Sequence, residues 1–141
     1  MLVKQLSVFM ENKAGRLSNL CKVLSANGIS IVTMSIADTK DFGIVRIITR
    51  ENKKALESLK KSGFTVSETE LIGVEVKDEA GALEKILKIL ETNKISIEYL
   101  YSFVITTSGS ARILFKVENT AFALEVLQKE KSIKLLSESI L

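Results

Sequence analysis

A repeat with a shift of 66 residues constrains this 141-residue chain more than any other feature. Asn12-Lys13-Ala14-Gly15-Arg16-Leu17 returns as Asp78-Glu79-Ala80-Gly81-Ala82-Leu83, and Asn27-Gly28-Ile29-Ser30-Ile31 returns as Asn93-Lys94-Ile95-Ser96-Ile97. Between residues 12 and 31, 9 of 20 positions are identical to their counterparts. Such a repeat indicates two copies of one small domain. We expect domains at 1–70 and 71–141 that bury surface against each other, because about 70 residues is near the lower limit for a stable domain.

The composition excludes several classes of function. With 46% hydrophobic and 26% charged residues the chain is ordinary for a globular protein, and a net charge of +3 is too small to indicate nucleic-acid binding. One cysteine excludes an internal disulfide, and the lack of histidine excludes Ser/His and Cys/His catalytic sites and the usual zinc sites. We therefore expect no cofactor and no metal. The N-terminus lacks a signal peptide's apolar core and no apolar run approaches the ~20 residues of a membrane span, so we expect a cytoplasmic protein.

Hydrophobic periodicity predicts the same order of elements in both copies. Residues 4–10 alternate like a half-buried strand. The apolar residues from Leu17 to Leu24 recur at the spacing of an amphipathic helix, which places Cys21 in the core, and Asn27-Gly28 ends that helix. The first copy continues with strands at 29–38 and 43–49, a helix around 55–59 and a strand at 64–69. The second copy has strands at 72–76, 95–105, 111–117 and 133–136, a helix from 83 to 90, and a helix around 124–127 capped by Asn119 or Thr120.

This order, βαββαβ in each copy, is that of the ferredoxin-like fold, in the α+β class. Right-handed crossovers place both helices on one face of a four-stranded antiparallel sheet. The junction at 68–71 is short and lacks Gly and Pro, so we expect the two sheets to join side by side with all helices on one face. We expect a second chain to cover the other, open face in a homodimer. The residues expected on the open face are Gln5, Ser7, Phe9 and Arg46, and Glu75 and Arg112; we treat Arg46 and Arg112 as equivalent and expect Arg112 to pair with Glu75.

The loop between the first strand and the first helix is the candidate binding site in each copy. It reads polar-x-Ala-Gly-x-Leu and opens a helix, whose uncapped N–H groups attract a carboxylate. Small residues let a ligand approach the backbone. The side chains of Asn12 and Asp78 can accept hydrogen bonds from an ammonium group, so the loop suits a free α-amino acid. A tight strand–helix turn is an equally good explanation of Gly15 and Gly81.

These features together resemble the ACT domain. Both loops fit its Asp/Asn-x-x-Gly-x-Leu pattern, and the starts of both second strands are also similar, so the resemblance covers essentially the whole chain as two tandem copies. ACT domains are regulatory modules that bind amino acids, usually where two domains meet side by side. The resemblance implies a non-catalytic sensor in which each loop meets the second strand of the neighbouring domain. The implied ligand-binding residues are Asn12, Lys13, Ala14, Gly15, Arg16, Leu17, Met34, Ser35 and Ile36, and Asp78, Glu79, Ala80, Gly81, Ala82, Leu83, Leu100, Tyr101 and Ser102.

The two loops differ in charge. Asn12 stands where the ACT family often has Asp, and the cations Lys13 and Arg16 flank it. The second loop has the anions Asp78 and Glu79 instead, and lacks the arginine. We therefore expect the first loop to dominate carboxylate binding and the two sites to differ in occupancy.

Other functions share this topology. An acylphosphatase needs an Arg and an Asn around a phosphate-cradling loop, which Arg16 and Asn12 match only in part. An RNA-recognition domain needs exposed aromatic residues on its third strand, and segments 43–48 and 111–115 lack that pattern. A structural module without a ligand is the third alternative, in which Tyr99 packs sheet against sheet.

Overall fold

A computed structural model of the protein describes residues 2–38, 40–105 and 109–137, so the predicted end of the second domain, 138–141, lies outside the described residues. The α+β fold with the βαββαβ order occurring twice is confirmed. No helix in these ranges is long and apolar enough to cross a lipid bilayer. The strands are β1 (Val3–Glu11), β2 (Ile31–Asp38), β3 (Phe42–Thr49), β4 (Thr65–Lys77), β5 (Ile97–Ile105), β6 (Ser110–Val117) and β7 (Lys134–Leu135), and the helices are α1 (Arg16–Ala26), α2 (Asn52–Lys61), α3 (Ala82–Thr92) and α4 (Thr120–Gln128).

The first compact unit comprises Lys4–Thr69. Its strands follow the order β2-β3-β1-β4, and β3 pairs antiparallel with both β1 and β2. The helices α1 and α2 bury their apolar faces against the sheet, and Cys21 packs against this core as predicted. The fully buried core residues are Leu6, Val8, Val45 and Ile47 from the strands and Leu20, Leu24, Ala55 and Leu59 from the helices.

The second compact unit comprises Glu70–Leu141 together with Met1–Val3. Its strands follow the order β7-β4-β6-β5 with antiparallel pairing throughout. The helices α3 and α4 take the places of α1 and α2. The buried core residues are Ile72, Val74, Ile113 and Phe115 from the strands and Ile86, Leu90, Ala123 and Leu127 from the helices.

The strand β4 is longer than either predicted strand. β4 runs without a break from Thr65 to Lys77, so the expectation of two strands at 64–69 and 72–76 is wrong. The junction 68–71 contains no Gly or Pro that would end an extended segment, and the backbone simply continues. The last strand is shorter than expected, since β7 pairs only Leu135 and Lys134 with β4.

The strand register shows that Arg46 and Arg112 are not equivalent. Arg112 lies opposite Glu75, and Ile44 lies opposite Phe9, the counterpart of Glu75 in the repeat. Arg112 therefore corresponds to Ile44. The second copy carries two additional residues in the connection between β5 and β6, upstream of Arg112. The predicted pair is confirmed, with Arg112 Nε 4.0 Å from a Glu75 carboxylate oxygen.

The helix ends follow their sequence signals. Gly28, just beyond α1, has a φ of 67°, in the left-handed region expected of it. Its counterpart Lys94 adopts a φ of 56°, so the second copy keeps the backbone although the glycine is lost. The side chain of Asn119 accepts a hydrogen bond from the Phe122 N–H at 3.0 Å, which confirms the predicted cap of α4.

Gly73 lies where a side chain has no room. An added Cβ would meet Leu136 and Val3 at 3.0 Å and Leu114 at 3.1 Å. Gly73→Ala should therefore lower the free energy of unfolding by about 1–3 kcal/mol, which is typical of overpacking a dense interior. Urea unfolding would measure this loss.

Gly43→Ala is the matched control. Gly43 is also a buried strand glycine without a positive φ, and its added Cβ would meet only Ile36 and Ala37, at 3.6 and 3.7 Å. This variant should stay close to the parent in stability. An equal loss in both variants would contradict the packing explanation.

Candidate ligand-binding site

The loops that precede α1 and α3 have the same backbone conformation. Their N-cap residues Gly15 and Gly81 have φ values of 85° and 87°, in the left-handed region where a Cβ costs about 1–2 kcal/mol. Like α2, these helices have no side-chain hydrogen bond at the N-cap. The N–H groups of their first turns are therefore left without a capping side chain.

Matching backbone hydrogen bonds hold both loops. The residue after the first strand donates to the turn before the third strand, and the first helical residue donates to the carbonyl three residues earlier. The glycine thus serves a tight turn, and residues 12–15 and 78–81 remain exposed. The bonds are Asn12 N to Asp41 O at 2.9 Å and Arg16 N to Lys13 O at 3.2 Å in the first loop, and Asp78 N to Gly109 O at 3.0 Å and Ala82 N to Glu79 O at 3.3 Å in the second.

Both cations of the first loop have intramolecular partners. Lys13 Nζ lies 2.9 Å from a carboxylate oxygen of Glu11, and this hydrogen bond, reinforced by the lysine charge, holds the pKa of Glu11 below its ordinary value. The Arg16 guanidinium lies over the Phe64 ring, 5.7 Å from its centroid, within the range of a cation–π interaction. The Arg16 Nε is enclosed without a hydrogen-bond partner. The expectation that the first loop dominates carboxylate binding loses this support and stays a prediction.

The second loop carries the opposite charges. Lys77 and Glu79 stand at the counterparts of Glu11 and Lys13, so the order of positive and negative charge is reversed. Within the described ranges neither Lys77 nor Glu79 takes part in an ion pair. These two side chains are therefore available to a ligand.

The predicted second-strand segments are not joined to the loop of their own unit. β3 separates β1 from β2, and β6 separates β4 from β5. Leu17 and Leu83 are partly buried and pack against the two cores. The other predicted loop residues are exposed, except Arg16 and Ala82, which are half-buried. That a loop meets the second strand of a neighbouring domain stays a prediction. In the strand segments, Met34, Ser35 and Tyr101 are half-buried, and Ile36, Leu100 and Ser102 are exposed.

A pocket of about 370 Å³ adjoins the second loop. This volume falls in the lower part of the range for small-molecule sites. Its walls come from the end of β4, one face of α3 and the segment before β7. Of the residues that line the pocket, only Glu79 and Ala82 were predicted from the sequence to bind a ligand. The change from the large Arg16 to the small Ala82 was a signal that the second unit has more room at the start of its first helix. The apolar lining consists of Val76, Ala82, Ile86, Ile89 and Ile133.

Comparison with known proteins decides the family. The sequence matches the family model of the ACT domain pair over residues 1–140. The chain belongs to the ACT domain pair family. The resemblance to the ACT domain is thereby confirmed. This ACT pair is similar to protein BT0572 from Bacteroides thetaiotaomicron in its crystal structure, with 39% identity over 99% of this chain and 94% of that chain and a TM-score of 0.91.

More distant structures share the fold of this ACT pair. The regulatory subunit of aspartate kinase from Thermus thermophilus is 14% identical, covers 91% and 93% of the two chains and has a TM-score of 0.62. The corresponding subunit from Thermus flavus is 13% identical, covers 92% and 93%, and has a TM-score of 0.59. Among curated proteins no significant match was found.

The contact between Arg16 and Phe64 should stabilise the first unit. Arg16→Ala is expected to lower the free energy of unfolding by about 0.5–1 kcal/mol, because the cation and its apolar stem leave the ring. Arg16→Met should lose less, since it keeps an apolar chain over Phe64. Guanidinium chloride unfolding would measure both variants.

A double-mutant cycle separates the charge from the packing. Arg16→Met combined with Phe64→Leu should show a coupling energy of about 0.5–1 kcal/mol between cation and ring. Zero coupling would mean that Arg16 only fills space.

Proposed function

We propose that this ACT domain pair is a non-catalytic sensor that binds a free α-amino acid through its strand–helix loops. The observation that supports the proposal is the left-handed glycine loop, repeated in both units at a helix start without a side-chain cap. The N–H groups at such a start suit a carboxylate, and Asn12 and Asp78 offer acceptors for an ammonium group. A zwitterion needs both kinds of partner within a few ångströms, and one loop supplies both.

The ACT family suggests where the ligand completes its contacts. In the proposed arrangement each loop acts together with the second strand of a neighbouring ACT unit, through segments Met34–Ile36 and Leu100–Ser102. A ligand bound there would hold two units together. Regulation would then pass through a partner enzyme or through the oligomeric state of the protein itself.

We also propose that a second copy covers the exposed part of the sheet face opposite the helices in the first unit, where Gln5 is already fully buried but Phe9 is not. Phe9, Phe42 and Ile44 are 49%, 44% and 39% exposed on that face. The two phenylalanine rings stack with centroids 5.1 Å apart, and Ile44 lies opposite Phe9 in the sheet. Contiguous exposed apolar residues of this kind mark an interaction surface.

A thermal-shift screen of the twenty amino acids tests the ligand class. An amino acid at about 100 times its dissociation constant should add about 2.7 kcal/mol of stability, which raises the melting temperature measurably. No shift with any amino acid, together with hydrolysis of an acyl phosphate by the pure protein, would favour the acylphosphatase alternative. No shift and no hydrolysis would favour a structural module.

Asparagine substitutions test the loops themselves. Gly15→Asn and Gly81→Asn should keep the left-handed turn, which asparagine tolerates, while placing a side chain before the helix start. Each variant should weaken amino-acid binding at its own loop by calorimetry. Undiminished affinity and stoichiometry in both would refute the loops as binding sites.

Charge on the open face should prevent dimerisation. Phe9→Lys places an ammonium group in the proposed interface, where its burial without a partner is unfavourable, so light scattering should give the mass of one chain. Phe122→Lys is the control, because Phe122 is exposed to a similar extent, 43% against 49% for Phe9, but lies on α4. A parent protein that is already monomeric at high concentration would refute the dimer.

A further inference from the structure

The two units differ at the contact between the start of their first helix and the segment that follows their second helix. In the first unit Arg16 lies over Phe64, the first core residue after α2. The second unit has Ala82 and Ile133 at these places, and both line the 370 Å³ pocket. At the position where the first unit has the long Arg16 side chain, the second unit therefore has only the methyl group of Ala82, which lines the pocket.

The rim of the pocket also differs between the copies. Lys77, Glu79 and Lys85 border it, all three are exposed, and within the described ranges none forms an ion pair. In the first unit the corresponding Glu11 and Lys13 satisfy each other at 2.9 Å. The second unit thus presents uncompensated charges of both signs beside apolar walls.

The remaining carboxylate at the pocket is already engaged. Glu75 accepts a hydrogen bond from Lys134 at 2.9 Å and lies 4.0 Å from Arg112. An incoming ammonium group would therefore find its partner at Glu79 rather than at Glu75.

We propose that this pocket binds a free amino acid with an aliphatic side chain. The side chain packs against Val76, Ile86, Ile89 and Ile133, the ammonium group pairs with Glu79, and the carboxylate pairs with Lys77 or Lys85. An acidic side chain would place a carboxylate against apolar walls without a partner and is excluded. The inference rests on the proposed function, and for the second unit it adds the side-chain class and places Glu79, which lines the pocket, instead of Asp78 as the ammonium partner.

Ligand chemistry gives the first test. Calorimetry on the full chain should show that L-leucine, L-isoleucine or L-valine binds, and that L-aspartate and L-glutamate do not. Removing either charged group, as in 4-methylpentanoate or 3-methylbutylamine, should weaken binding by up to about fivefold, as expected when an exposed ion pair is lost. Equal binding of 4-methylpentanoate and L-leucine would overturn the assignment, because the pocket would then accept an aliphatic acid without its ammonium group.

Filling the pocket gives the second test. Ala82→Arg restores the residue of the first unit, and Ala82→Met fills the space without added charge. Both should abolish binding of the aliphatic amino acid. Glu91→Gln is the control, since it changes the charge of α3 by the same amount as Ala82→Arg at an exposed position outside the pocket, and it should bind like the parent.

Glu79→Gln tests the ammonium partner. This variant should weaken the binding of L-leucine by up to about fivefold, which is the largest effect expected of an exposed ion pair. The binding of 4-methylpentanoate should not change, because this ligand has no ammonium group. Equal weakening of both ligands would overturn the role of Glu79.

The outcomes separate this inference from the function on which it rests. If no amino acid binds the parent protein, both fail. If an amino acid binds the parent protein and both Ala82 variants bind it as tightly as the parent does, the pocket assignment fails while the proposed function stands. Ala82→Met keeps the test valid if Ala82→Arg does not fold, which circular dichroism would show.

Discussion

The left-handed turn at Gly15 and Gly81 is the constraint on which the rest of each unit depends. It fixes the residue at which the helix begins, and thereby which side chains of the helix face the sheet. With α1 beginning at Arg16, Leu20 and Leu24 are buried; with α3 beginning at Ala82, the same spacing buries their counterparts. A Cβ in this conformation costs about 1–2 kcal/mol, so both copies keep glycine.

At the C-terminal end of the same helix the two copies share the backbone conformation but not the residue. Gly28 and Lys94 share a positive φ, yet only one of them is glycine. Lys94 lies in an exposed turn. What the repeat conserves is thus the backbone geometry, and glycine is retained where that geometry also leaves N–H groups open at a helix start.

Periodicity was sufficient to predict the order of elements, because the apolar stripe of α1 and the alternation of β1 each favour one structure. The sequence predicted the pair of Arg112 and Glu75 but not the register of the first unit. Arg46 and Arg112 coincide at the repeat shift, whereas two additional residues after β5 place Arg112 opposite Glu75. The continuous β4 was missed because separate copies suggest separate strands. The pocket was missed because Ala82 and Ile133 are far apart in sequence, and only the folded chain brings them to one cavity.

The exchange of Arg16 for Ala82 gives the two units different relations to a ligand. In the first unit the protein's own cation covers an aromatic ring, and part of its guanidinium is enclosed without a hydrogen bond, a cost that the ring face offsets. In the second unit the walls of the pocket lack those contacts, and an unfilled apolar space forfeits dispersion energy. A ligand that fills it restores the contacts and stabilises the unit that it enters. Because the Glu79 carbonyl accepts the N–H of Ala82 at 3.3 Å, a ligand held by the Glu79 side chain also holds the start of α3. The proposed aliphatic ligand therefore adds contacts in the second unit at the position where the first unit already has the Arg16 side chain.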